Sequence, residues 1–190
     1  LQDLRADYHR QLFDAVESAE QPSKLYDLQI RCSDGATFFV HSVFLAQSRV
    51  LRRKLESDDF RESQFRYLRL DCDKSVAREF LRYLYKAELV DLDESQAEGL
   101  LILAHRYELQ ELVFWCQKVL ISQINPDNMG RLLLMADLYG LEILSQKCVQ
   151  KIRKNLDTFL TLPERTEVLS RNTLLKNIVG TSPEEEDNET

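Results

Sequence analysis

The sequence predicts an α+β fold: a mostly helical body with a small β-sheet, followed by stacked helical hairpins. Three observations predict it. Chain breakers are scarce, with only 5 glycines and 4 prolines in 190 residues, less than half of average usage. Only one region, residues 25–40, alternates apolar and polar side chains in two runs around a turn signal. Most of the remaining apolar residues recur at steps of three and four, the period of a half-buried helix.

Residues 1–20 read as an amphipathic helix, because Leu1, Leu4, Tyr8, Leu12 and Val16 share one side with charges between them. Pro22 and Ser23 end it. The run Leu25 to Cys32 then alternates, Asp34-Gly35 supplies a hairpin turn, and Thr37-Phe38-Phe39-Val40 returns. From Val43 to Leu55 the pattern is helical, with Phe44, Leu45, Val50, Leu51 and Leu55 on the apolar side. Ser57-Asp58-Asp59 begins a loop, and Phe65 to Leu70 reads as another strand. Helices follow: one around Val76, Phe80, Leu81 and Leu84, then 94–107, 110–124, about 127–139 and 142–156, with shorter ones up to Val179. Asn125-Pro126-Asp127 is a start signal: Asn125 caps free N–H groups, Pro126 suits the first helical position and Asp127 favours the positive end. Residues 182–190 contain no apolar side chain and are expected to be disordered.

Several function classes are disfavoured. The net charge is −7, and neutralising a polyanion needs a basic excess. Five of the seven excess negative charges are Glu184, Glu185, Glu186, Asp187 and Glu189, so the body of the chain is nearly neutral. The cluster Arg49, Arg52, Arg53 and Lys54 reads as a solvated helix face, since Glu56, Asp58 and Asp59 lie beside it. Neither nucleic acid nor membrane is expected as a partner: no apolar run reaches the ~18 residues of a membrane span, and no signal peptide opens the chain. With Leu1 rather than Met in first place, the sequence reads as a fragment of something longer.

Cys32, Cys72, Cys116 and Cys148 have no mutual spacing of a zinc knuckle, and Cys116 follows the apolar run Val113-Phe114-Trp115. They read as small buried hydrophobes of a reducing compartment, cytoplasmic or nuclear. His9, His41 and His105 have no second ligand at metal spacing, and no glycine-rich phosphate loop occurs. No enzyme, cofactor or metal is expected.

Two segments match at an offset of 32 residues. Ala104, Tyr107, Leu109, Leu112 and Cys116 correspond to Ala136, Tyr139, Leu141, Leu144 and Cys148, each set preceded by a leucine-rich stretch. This describes a helical hairpin in which Ala admits close approach and the later Leu and Cys pack back on the first helix. Gly140 occurs only in the second turn, where a positive backbone angle is easiest.

Tyr26-Asp27-Leu28, then His41, Leu45 and Ser48, then Phe80 and Tyr83-Leu84-Tyr85, then Ala104, Tyr107, Leu112 and Cys116 resemble the BTB/POZ domain. The implied layout is a dimerisation helix (1–20), a BTB/POZ domain (21–124), a helical extension (125–180) similar to a short BACK domain or three-box, and an acidic tail (181–190). This layout resembles speckle-type POZ proteins, although their substrate-binding MATH domain is not in this chain, and ankyrin-repeat BTB proteins are similar around Phe60-Arg61-Glu62-Ser63.

The resemblance implies a substrate adaptor that binds the N-terminal domain of cullin-3 in a cullin-RING ubiquitin ligase. The substrate would be recruited through a region not in this chain. The family's hydrophobic-x-Glu motif corresponds to Phe60-Arg61-Glu62. Burying an aromatic ring from a charged loop in a partner's pocket is worth about 1.5–3 kcal/mol, with Glu62 available at the rim. The alternative is that Phe60 tucks under its own loop. The family's second contact area falls here on Arg106, Glu108 and Gln110, with Asn128 extending it, while Tyr107 reads as structural.

The resemblance also implies a homodimer through the first helix, with Leu4, Tyr8, Leu12, Phe13 and Val16 on a two-fold interface, and through the helix after the hairpin. Alternatively the first helix covers only its own domain or links to an upstream one. In transcription-factor members a basic residue follows the histidine and faces a buried Asp. Here that position is Ser42, and Asp27 has no obvious partner. This weakens the corepressor reading and leaves a self-associating or regulator-recruiting scaffold as the second hypothesis.

Overall fold

Alternating apolar side chains along 28–31 and 37–40 give a sheet one buried and one wet face. A computed structural model, which describes residues 2–18, 26–57, 60, 66–88, 91–172 and 175, has this arrangement. Strand β1 (Leu28–Arg31) pairs antiparallel with β2 (Thr37–Val40), from Leu28↔Val40 to Arg31↔Thr37. The turn between them holds Gly35 at φ 86, and Asp34 Oδ1 accepts the Ala36 N–H at 3.0 Å. β3 (Tyr67–Arg69) runs parallel to β1, so the order is β2-β1-β3. Leu28, Ile30, Phe38, Val40 and Leu68 are buried, while Gln29, Arg31, Thr37, Phe39, Tyr67 and Arg69 form the outer face. The predicted third strand, Phe65 to Leu70, is shorter than expected, and Phe65 lies outside the described residues.

The chain divides into two compact units, 1–116 and 117–190. The first holds α1 (Gln2–Ser18), α2 (Ser42–Leu45), α3 (Arg49–Glu56), α4 (Lys74–Lys86) and α5 (Glu94–Arg106). The single helix expected from Val43 to Leu55 is two. Ser48 is extended at φ −76, ψ 127, and its Oγ accepts the Leu51 N–H at 3.1 Å and donates to the Tyr107 carbonyl at 2.7 Å. An N-cap thus interrupts a continuous apolar stripe. Asp73 caps α4, and Asp93 with Gln96 forms a capping box on α5. A Cβ on Gly99 would lie 2.7 Å from a Val76 methyl, so α4 and α5 approach closely only because glycine is there.

Helix α1 lies on α4 and β2. Phe13 and Val16 are 0% and 1% exposed. The Arg82 guanidinium is 5.4 Å and the Lys86 ammonium 4.6 Å from the Phe13 ring centroid, and Lys86 also pairs with Asp14 at 3.2 Å. Buried Glu79 stands 3.2 Å from Arg78 and 3.1 Å from Arg82, while Glu17 of α1 reaches Arg78 at 3.3 Å.

The division falls inside α6 (Gln110–Ser122), eight residues before the 124/125 boundary of the expected layout. The second unit continues with α7 (Met129–Tyr139), α8 (Glu142–Lys154), α9 (Leu156–Thr161) and α10 (Arg165–Arg171). Its core holds Leu132, Leu133, Leu144, Cys148, Ile152, Phe159 and Val168. Helix α7 starts two residues later than the sequence predicts. Asn125 Oδ1 accepts the N–H groups of Asp127 (2.9 Å) and Asn128 (3.0 Å), and Asn128 Oδ1 accepts that of Asn125 (2.8 Å). The two amides close a turn on themselves, so Pro126 belongs to that turn rather than to the first helical position. Residues 181–190 lie outside the described residues.

Candidate protein-interaction surfaces

The first surface is organised by α3. At its N-terminal end Ser48 bonds the Tyr107 carbonyl, and Arg49 pairs with Glu108 at 3.2 Å, so α3 is tied to the α5–α6 turn. Its C-terminal end leads through Ser57 to Phe60, whose N–H donates to the Ser57 carbonyl at 3.1 Å. Eight helical residues separate the two ends by about 12 Å. Phe60 is half-buried with the Arg66 guanidinium 5.9 Å from its ring centroid, while Arg61 and Glu62 lie outside the described residues.

At the other end Arg106, Glu108 and Gln110 are exposed. Arg106 pairs with Asp71 at 3.6 Å. Glu108 has φ 54, a left-handed conformation that disfavours any residue with a Cβ. Tyr107 is 6% exposed and packs 5.6 Å from the Phe80 ring, as its structural reading requires, and burial raises its phenol pKa. Nearby, burial and Glu111 push the Tyr83 hydroxyl up to about 12, and it donates to Glu111 at 3.3 Å. Asn128 is in the second unit and only 5% exposed, its amide committed to the turn before α7.

The second surface involves α1 and α2. Of the five residues expected on it, Phe13 and Val16 lie instead in the core of their own unit, because they fill the space between α1 and α4. Leu12 is half-buried, Tyr8 is 59% exposed, and the Leu4 side chain is outside the described set. Val43, 71% exposed on α2, begins the helix after the hairpin to which the resemblance extends the interface, but the sequence does not single it out. Four helical residues are too few to display a period, so no signal in the pattern marks it. His9 meets Phe44 edge-on at 5.3 Å, and Phe44 stacks on Tyr85 at 4.0 Å, which fixes α1 beside α2.

Asp27 does have a partner. Its carboxylate accepts the Ser42 N–H at 2.7 Å and the Ser42 hydroxyl at 2.5 Å, with Arg66 at 3.8 Å. The serine that stands in place of a basic residue is therefore itself the contact, as a charge-assisted bond at the start of α2. Cys32, Cys116 and Cys148 are buried as expected, whereas Cys72, flanked by Asp71 and Asp73, is half-buried; burial pushes all four thiols up, Cys32 to about 11 and the others to about 12. No cluster able to hold a metal ion occurs, and no helix is long and apolar enough to cross a membrane, among the described residues.

A BTB/POZ domain-containing protein of Arabidopsis thaliana is 27% identical over 131 residues, covering 68% of this chain and 53% of that protein. The Caenorhabditis elegans protein maternal effect lethal 26 is 29% identical over 140 residues, covering 70% of this chain and 35% of its own length. This chain thus spans about half or less of these curated relatives. The BTB domain of zebrafish PATZ1 aligns with a TM-score of 0.49 at 17% identity, over 63% of this chain and 93% of that one. The family description BTB/POZ domain matches residues 16–124, more than half of the sequence. The chain belongs to the BTB/POZ domain family, and its fold is that of a protein-interaction module.

Proposed function

We propose that this chain is a homodimerising module that binds the cullin-3 N-terminal domain as a substrate adaptor of a ubiquitin ligase. Residues 125–180 would act as a BACK-like extension. The observation that supports the reading is the tie through α3, with Phe60 beyond its C-terminal end and the exposed Arg106, Glu108 and Gln110 by its N-terminal end. Such a patch suits an aromatic anchor with a polar rim. Phe60, Arg61 and Glu62 are the proposed anchor segment. Asn128, being buried, is not among the proposed partner contacts.

Calorimetry of the chain with the cullin-3 N-terminal domain tests this. Nanomolar to low-micromolar affinity is expected, falling about ten- to a hundred-fold with Phe60→Ala and also falling with Glu62→Ala. No heat at high micromolar concentration sinks the adaptor and leaves the scaffold.

For the dimer, exposed Tyr8 and Val43 are the contacts to break. Sedimentation equilibrium of a Tyr8→Asp, Val43→Asp double variant should give monomers. An unchanged mass removes α1 and α2 from the interface.

A further inference from the structure

We propose that a cavity beside the sheet, walled by Arg31, Arg69 and Arg106, binds the phosphoryl group of a phosphoserine or phosphothreonine peptide from a partner protein. The cavity measures about 560 Å³, enough for a phosphorylated side chain and its neighbours. Ser33 and Thr37 add hydroxyl donors to its lining, and Asp71 is the one acidic side chain there.

Arg31 and Arg69 both lie over the Tyr67 ring, at 4.1 and 5.9 Å from its centroid, but among the described residues have no opposite charge beside them. Arg31 and Arg69 are paired across adjacent strands, where like charges destabilise a sheet. Among the described residues no carboxylate stands within ion-pair distance of either. Asp71 faces Arg106 at a long 3.6 Å and is itself 77% exposed. Nearby Asp34 is occupied by the N–H groups of Ala36 (3.0 Å) and Lys74 (2.8 Å).

Arg31 is also held ready. Its Nε donates to Gln29 Oε1 at 3.0 Å and its guanidinium lies 4.1 Å from the Tyr67 ring centroid. That fixes the plane and leaves the two terminal nitrogens to an incoming anion. Ordering the fork before binding reduces the entropy lost on contact.

The donor set favours phosphate over carboxylate. Three guanidinium groups and two hydroxyls exceed what two carboxylate oxygens can accept, whereas a phosphoryl group brings three acceptor oxygens and about two charges. A nucleic acid fits less well, because Arg31 already covers the Tyr67 ring on which a base would stack.

The test uses the whole chain and four probes: a degenerate peptide library with a fixed central phosphoserine, the same library dephosphorylated, inorganic phosphate, and a short single-stranded oligonucleotide. Anisotropy reports affinity, and amide shifts of Ser33 and Asp71 report location. The phosphorylated library should bind with shifts at both amides, and dephosphorylation should weaken it at least about ten-fold. Arg31→Gln and Arg69→Gln should each do the same, without change in far-UV circular dichroism or in cullin-3 affinity. Arg106 is left intact, since it also belongs to the proposed cullin surface. If Arg31→Gln perturbs folding, Arg69→Gln, an exposed residue, carries the test. Equal binding of the dephosphorylated library overturns the proposal. So does unchanged affinity in the double variant, tighter binding of the oligonucleotide, or response to inorganic phosphate alone, which marks an adventitious anion site.

Discussion

The turn at 104–109 and the turn at 136–141 are built from the same parts, yet their surfaces differ. In the first, the Leu109 N–H reaches back to the Ala104 carbonyl at 2.9 Å; in the second, the Leu141 N–H reaches the Ala136 carbonyl at 2.8 Å. Both hairpins bury their alanine, Leu112 or Leu144, and Cys116 or Cys148 to within 1% of full burial. Both place one residue in the left-handed region, Glu108 at φ 54 and Gly140 at φ 65. Glycine occupies that position in the second turn without strain. In the first, a glutamate occupies it, next to a tyrosine sealed in the core and opposite Arg49 of α3. The inward positions repeat because packing against a helix leaves few alternatives. The outward positions are free to diverge, and the strained one lies in the proposed partner surface, where such conformations tend to concentrate.

The largest expected effects test whether the inward halves are equivalent. Leu112→Ala and Leu144→Ala each remove a fully buried side chain and should each cost about 2–5 kcal/mol in urea unfolding. Costs that differ by much more than that range would mean that the shared pattern hides different packing.

Alkaline stability gives a second, smaller measure. Burial pushes both Cys116 and Cys148 up to about 12, whereas an unfolded thiol titrates near 8.5. The folded state then holds its protons longer than the unfolded state. The contribution is fully present below about pH 8.5 and is lost as pH rises toward 12. Each thiol should remove roughly 1.4 kcal/mol per pH unit above 9. Urea midpoints between about pH 9 and 10.5 should fall less steeply in Cys116→Ala and in Cys148→Ala, by similar amounts. A flattening in only one variant would separate the two copies.

This internal likeness was legible in the sequence because identical residues recur at one offset, and eight of the ten are buried. The hairpin was legible for the same reason: Leu28, Ile30, Phe38 and Val40 alternate, and alternation is what a half-buried sheet requires. What stayed hidden depends on contacts between distant residues. The break between α2 and α3 is made by Ser48 bonding the Tyr107 carbonyl 59 residues away, and no local pattern contains that. The partner of Asp27 is a serine 15 residues on, a residue type that composition reads as neutral. On α1, periodicity marked an apolar stripe but not which partner it faces; Phe13 and Val16 turn to α4 while Tyr8 is left outside. Arg31 and Arg69 become neighbours only through the parallel pairing of β1 with β3.

The smallest effect tests the outward halves by exchanging them. A Cβ added at Gly140 would meet nothing within 4 Å, so Gly140→Glu should cost only the backbone preference, about 1 kcal/mol. Glu108→Gly should return a similar amount, less the exposed pair with Arg49, which is worth no more than about 0.5 kcal/mol. Thermal or urea unfolding of the two variants should therefore move in opposite directions. If Glu108→Gly instead destabilises the chain, the pair with Arg49 holds the turn more firmly than the strained backbone opposes it, and the glutamate is structural. If it stabilises the chain while cullin-3 affinity falls, the glutamate is retained at a cost to the fold for the sake of the surface it presents, as expected where binding and stability compete.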